Sequence, residues 1–201
     1  DQAPHVPFSE VVKVFQEEFE CHPDLLFQTF EREPIASASI AQVHKATLPN
    51  GELVAVKVQK PYIRTQMPWD LRAYKLVVAV LEVLFDLPMY WSVEYTQLSL
   101  EKEVDFTIEA ANAEKCRQAI KNDQHLAHHV HIPVTVPELT TSRIMVAEWC
   151  DGVQLSNKTA IKAMGLSVEK VMETATAVFA EQIFVSGFVH CDPHPGSRDY
   201  E

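Results

Sequence analysis

Residues 40–59, IAQVHKATLPNGELVAVKVQ, read as two strands joined by a tight turn. Ile40 to Leu48 and Leu53 to Gln59 are strand-like, and Pro49-Asn50-Gly51 between them is a hairpin signal. Strand alternation sets Val54, Val56 and Val58 on one face of the second strand, and Ala55 and Lys57 on the other. A small alanine beside a lysine leaves room for a flat base and supplies a cation for phosphate. Taken alone, such a lysine is more often an ordinary strand residue on a half-buried sheet.

Working outward, Ser9 to Glu20 reads as a helix with Ser9 as N-cap and Val11, Phe15 and Phe19 spaced four apart. Pro23 to Phe30 is a second short helical piece. Beyond the hairpin, Asp70 to Phe85 and a long stretch from Val93 to Lys121 are predicted to be helical. The apolar run Leu76 to Phe85, broken by Glu82 and flanked by charges, is too short to span a bilayer and reads as a buried helix. Pro133 to Pro137 and Arg143 to Trp149 are expected as strands joined by a Thr-Thr-Ser turn. Ser167 to Ser186 returns to helix, started by a Ser167 cap and stopped at Gly187. The fold class expected is α+β: a strand-rich half with inserted helices, then a helical half, with the boundary at Cys150-Asp151-Gly152.

The chain has 201 residues, 47% hydrophobic and 22% charged, a globular composition with enough length for a core. With 17 Lys+Arg against 28 Asp+Glu the formal net charge is −11, which argues against nucleic acid or an anionic membrane surface as the main partner, although a local basic patch is compatible with it. Cys21, Cys116, Cys150 and Cys191 lie far apart without a C-x-x-C, so neither a disulfide framework nor a zinc knuckle is suggested. The sequence opens at Asp1 and closes on Ser197-Arg198-Asp199-Tyr200-Glu201, which reads as a piece of something longer.

Three further constellations bear on chemistry. In Pro34-Ile35-Ala36-Ser37-Ala38-Ser39-Ile40-Ala41-Gln42-Val43, alanines 36, 38 and 41 occupy the spacing of G-x-G-x-x-G, and Val43 follows two residues on, as in a kinase phosphate loop. Alanine forced to positive φ costs about 1 kcal/mol or more. The segment is therefore expected to fold differently from a glycine loop, as a helical turn in which the Ser37 and Ser39 hydroxyls replace flexible amides. Glu103, Asp105, Glu109 and Asn112 form an acidic helix face, from which a carboxylate can hold Lys57. Finally, Phe188-Val189-His190-Cys191-Asp192-Pro193-His194-Pro195-Gly196 directly follows the Gly187 helix stop, and loops carry function disproportionately.

Together these residues resemble the UbiB (ADCK) family of atypical kinase-like proteins. Ile35 to His44 is similar to its alanine-rich loop ending in S-I-x-Q-V-H, and Val54 to Lys57 to its nucleotide-binding strand. Glu103-Val104-Asp105-Phe106 with Glu109-Ala110-Ala111-Asn112 matches its E-x-D segment, Ile144 to Trp149 sits where its hinge strand belongs, and His190 to Gly196 matches its H-x-D-P-H-P-G loop. The resemblance implies a protein-kinase-like two-lobed fold: residues 1–33 ending a helical N-terminal extension, 34–150 an N-lobe with an antiparallel sheet and inserted helices, and 151–201 the truncated start of a helical C-lobe.

It implies Mg²⁺-ATP as cofactor. Lys57 would lie on the phosphates with Glu103 as its ion-pair partner (Glu109 second choice), and Asp192 would be the catalytic-loop acid. Ala36, Ser37, Ala38, Ser39, Val43, Ala55 and Glu148 would line the nucleotide. Adenine nucleotide is thus the implied partner, together with lipid or coenzyme Q precursors and a membrane surface, in mitochondria. Three departures are visible: no K-x-G-Q motif, Ala41 where the family usually has Gly, and Ser197 in place of the metal-binding Asn with no D-F-G after it. No metal ligands are therefore assigned, and the chain as written is expected to be catalytically incomplete. Two other readings stay open. One is a non-catalytic nucleotide-sensing or scaffold module. The other is a metal-dependent hydrolase built on His190-x-Asp192-x-His194 and the His125, His128, His129, His131 run.

Overall fold

The computed structural model of the protein describes residues 4–189. The elements run α1 (Phe8–Phe19), α2 (Pro23–Leu26), β1 (Thr29–Phe30), β2 (Ala36–Ser37), β3 (Ala41–Thr47) and β4 (Leu53–Gln59). They continue with α3 (Tyr62–Phe85), α4 (Trp91–Glu103), α5 (Phe106–Asn122), β5 (Ile144–Glu148), α6 (Lys158–Ala163) and α7 (Val168–Glu181). The described residues form two compact units: residues 4–110 with 136–147, and residues 111–135 with 148–189.

The first unit is organised by the β3–β4 hairpin. Its strands pair antiparallel from Ala41 opposite Gln59 to Thr47 opposite Leu53. Gly51 closes the turn at φ +90°, and nothing lies within 4 Å of where its Cβ would be, so glycine is required there by backbone conformation and not by space. The sheet order is β1-β3-β4-β5, with β2 also pairing on β3. Beneath the sheet, Val54, Val56 and Val58 join Ala46, Leu48, Ile144 and Val146 in a buried cluster. Helix α1 closes that cluster with Val11, Val14 and Phe15, spaced to share one helix face, and Phe27 and Phe30 complete it. Arg143, buried at the entrance to β5, ion-pairs with Glu17 and Glu18 of α1, tying strand and helix together. Helix α1 starts one residue before the expected cap: Pro7 is the N-cap, and its carbonyl accepts from Glu10 N–H.

Three expectations are corrected in this unit. The 93–121 stretch is not one helix. It breaks at Val104-Asp105, where the Asp105 carboxylate accepts from the Thr107 N–H at 2.9 Å and starts α5 as an N-cap would. The apolar run of α3 is not buried: Leu71 and Val78 are covered, whereas Leu76, Val77, Val80, Val83, Leu84 and Phe85 are exposed. Helix α3 finds a partner in α4 through Tyr74 Oη–Ser92 Oγ and Lys75 Nζ–Gln97 Oε1, contacts that leave its remaining faces open. Residues 133–137 make no full strand, because Pro133 and Pro137 have no N–H to donate. Val136 N–H still donates to Val146 C=O at 2.8 Å, and a 3₁₀ turn follows at Pro137–Leu139.

The second unit is helical, and its helices are defined by their ends. Asn157 caps α6 by accepting from the Ala160 N–H at 3.0 Å. Ser167 caps α7, which passes into a π-helical turn, Gln182–Ser186, ended by Gly187 at φ +65°. Within this unit Glu148 N–H donates to Val134 C=O at 2.8 Å. Among the described residues, no helix is long and apolar enough to cross a membrane.

Candidate functional site

The open face of the first unit's sheet carries the residues singled out from sequence. Val43 stands opposite Lys57 on one side and opposite Ala36 on the other, so Ala36, Val43 and Lys57 form one row across β2, β3 and β4. Lys45 opposite Ala55 forms the next row. All five are half-buried, while the alternate residues Gln42, His44, Ala46, Val54, Val56 and Val58 are buried beneath. Lys45 is a second cation on this face that sequence reasoning passed over. The period-two alternation that placed Lys57 also places Lys45 two residues beyond Val43.

Lys57 is held from two sides. Its ammonium donates to both oxygens of Glu109 at 2.7 Å and lies 4.7 Å from the centre of the buried Phe106 ring. Glu109 and Phe106 are one turn apart at the start of α5, and Asp105 fixes where that turn begins. This corrects the expected pairing with Glu103, which lies exposed in the last turn of α4, before the break. The Asp-x-Thr cap at Asp105 was the sequence signal for that break. With Lys57 and Glu109 side chains 27% and 43% exposed, the pair is worth at most about 1 kcal/mol of stability, so its main consequence is position.

The alanine-rich segment is a strand and a turn, not the expected helical turn. Ala38 N–H donates to Ala41 C=O at 2.8 Å, closing Ala38-Ser39-Ile40-Ala41 between β2 and β3. None of these residues has a positive φ, which explains why alanine suffices where a phosphate loop uses glycine. The turn is anchored from below by Lys60, whose ammonium donates to Ala38 C=O and Pro4 C=O while its N–H donates to Ile40 C=O. Burial lowers the Lys60 pKa. Ser37 Oγ donates to Pro4 C=O at 3.4 Å.

Gln42 and His44 face the core and carry a different job. Val6 N–H donates to Gln42 Oε1 at 2.8 Å, which leaves Gln42 Nε2 to donate to Val6 C=O and to His44 Nε2. His44 Nε2 therefore accepts, its proton sits on Nδ1, and Nδ1 donates to Glu31 C=O at 2.8 Å. Burial pushes the His44 pKa down. The Q-V-H run thus alternates between two tasks: Val43 faces the open side, and Gln42 and His44 pin the chain near Val6 to the sheet.

Glu148 ends β5, and its carboxylate is committed to His131 Nε2 at 2.7 Å and to Val134 N–H at 3.3 Å. Those two contacts, the His131 bond first, hold the Glu148 carboxyl below the usual carboxylate range. Asp192, with His190 and His194, lies outside the described residues.

The sequence matches the ABC1 atypical kinase-like domain over residues 1–198. It is 41% identical over 98% of its length to an ABC1 family protein of Schizosaccharomyces pombe, and 38% identical over 97% to AarF domain-containing kinase 1 of Drosophila melanogaster. In each case it spans 37% of the relative's length. Among solved structures it is similar to Rv3197 of Mycobacterium tuberculosis, determined in complex with erythromycin. The TM-score is 0.66 at 30% identity, covering 76% of this chain and 38% of that one. The mixed α/β architecture with its antiparallel sheet is therefore a protein-kinase-like fold.

Proposed function

The chain belongs to the ABC1 atypical kinase-like family, which includes the AarF domain-containing kinases, and on that premise we propose that it binds Mg²⁺-ATP on the Lys57 face of its sheet. The observation that carries this reading is the two-oxygen hold of Glu109 on Lys57. A lysine fixed at a defined point by a half-exposed carboxylate keeps donor capacity for phosphate oxygens and is not free to swing away. The small side chains of Ala36 and Ala55 leave space beside it, and Val43 in the same row offers an apolar contact for a base. The tight Ala38–Ala41 turn is suited to covering phosphates with backbone and Ser39. Lys45 would add a second positive charge.

By the family resemblance, Glu148 marks the hinge strand and Asp192 would orient the phosphoryl acceptor. The metal would neutralise charge on the phosphates. The wider role proposed is support of coenzyme Q and mitochondrial lipid homeostasis, carried over from the same resemblance. The exposed apolar strip Val80, Val83, Leu84 and Phe85 on α3 supports a lipid or membrane surface as a further partner. Titration with a fluorescent ATP analogue tests the nucleotide reading. Saturable, Mg²⁺-dependent binding should weaken at least about tenfold in Lys57→Ala, a loss of 1.4 kcal/mol. Equal binding by both proteins would overturn it, and binding without turnover would favour a nucleotide-sensing module over a catalyst.

A further inference from the structure

We propose that His131, Glu148 and Cys150 form a zinc-binding site that cross-links the segment before Val134 to the end of β5. The donor atoms of these three side chains all lie within 4.8 Å of one another, and among the described residues they are the one group of three His, Cys, Asp or Glu residues so placed. The backbone builds the arrangement. Glu148 ends β5 and Cys150 follows two residues later, so both donors come from one short stretch of chain. The Glu148 N–H to Val134 C=O bond then brings His131 alongside them.

Imidazole nitrogen, carboxylate oxygen and thiolate sulfur are the donor set zinc accepts, at about 2.0–2.3 Å each, which sets neighbouring donors about 3.5 Å apart in a tetrahedron. The His131 to Glu148 contact is now 2.7 Å and would open slightly, and the Cys150 sulfur would close in. Three protein ligands leave the fourth position to water. Val134 N–H, bonded to the Glu148 carboxylate, supplies the kind of supporting hydrogen bond that orients a ligand before the metal arrives. All three side chains are exposed, so an ion reaches them without unfolding. The histidine run noted in the sequence thus contributes one ligand, and its partners come from the last residue of β5 and from Cys150 two residues beyond it.

The test uses metal-free protein, zinc chloride followed by calorimetry, and cobalt(II) as a spectroscopic substitute, all without nucleotide. Failure here is therefore separate from failure of the nucleotide reading. The expected result is one equivalent of metal and a thiolate-to-cobalt charge-transfer band. That band should be lost in Cys150→Ser and retained when Cys21, Cys116 and Cys191 are all changed to serine. Zinc affinity should fall at least about tenfold in His131→Ala and in Glu148→Gln. Circular dichroism confirms that each variant is folded. A band that survives Cys150→Ser, unchanged affinity in His131→Ala, or no stoichiometric binding by the wild-type chain would overturn the proposal.

Discussion

The two units solve the same problem in different ways. The sheet unit buries a continuous cluster of twelve side chains, from Val11 on α1 to Val146 on β5. In the helical unit, the buried apolar side chains among the described residues are Ile120, Leu126 and Ile161, while Ile183, Phe184 and Val185 are exposed. Its helices are marked instead by caps: Asn157, Ser167, and Gly187 at positive φ. The hairpin is therefore held by its own packed core, and with it the position of Lys57. Among the described residues, the helical unit shows the local signals of its helix ends more plainly than a packed cluster.

The sharpest way to break this contrast is a pair of phenylalanine truncations. Phe15→Ala empties the centre of the sheet unit's core and should cost about 3–5 kcal/mol in denaturant unfolding. Phe184→Ala, at 82% exposure, should stay within about 0.5 kcal/mol. Comparable losses in both would remove the distinction. Next in size, Gln42→Ala leaves His44 Nε2 and the Val6 peptide groups without their partner and should cost about 1–3 kcal/mol. A smaller effect is expected in the helical unit: Asn157→Ala removes the α6 cap, for about 1 kcal/mol, with the loss of helicity confined to that region in hydrogen exchange.

The pH dependence follows from His44. Burial holds its folded pKa below the ordinary imidazole value of 6.5, so in acid the unfolded chain takes up the proton first. Stability is intact above the unfolded value and declines as pH falls through the window beneath it, levelling off below the folded pKa. Between about pH 7 and pH 5 the wild-type midpoint should drop more than that of His44→Gln. Equal slopes would show that His44 does not titrate as its buried acceptor role requires.

Much of the sheet unit was legible in sequence, because period-two alternation reports directly on which face is covered. Ala55 and Lys57 against Val54, Val56 and Val58 needed nothing more. The partner of Lys57 was harder. The 93–121 pattern is continuous in composition, and only the Asp105 cap reveals that Glu103 and Glu109 sit on different helices. The alanine loop misled in the opposite direction: its spacing suggested a glycine-loop substitute, whereas a turn closed by Ala38 and Ala41 needs no unusual backbone. An apolar run such as that of α3 is ordinarily buried, but burial depends on a neighbour that sequence does not show, and among the described residues Val83 stays exposed. The His131, Glu148, Cys150 group was equally out of reach, since it exists only once Glu148 pairs with Val134.

On the proposed function, it is the Glu109 carboxylate, and not that of Glu103, that positions Lys57 for nucleotide. This is tested most directly by thermal unfolding with and without Mg²⁺-ATP in the wild type, Glu109→Gln and Glu103→Gln. Nucleotide at 100 times its dissociation constant should stabilise the wild type by about 2.7 kcal/mol. Glu103→Gln should keep that shift and Glu109→Gln should lose most of it. A shift retained in Glu109→Gln and lost in Glu103→Gln would contradict this role of Glu109.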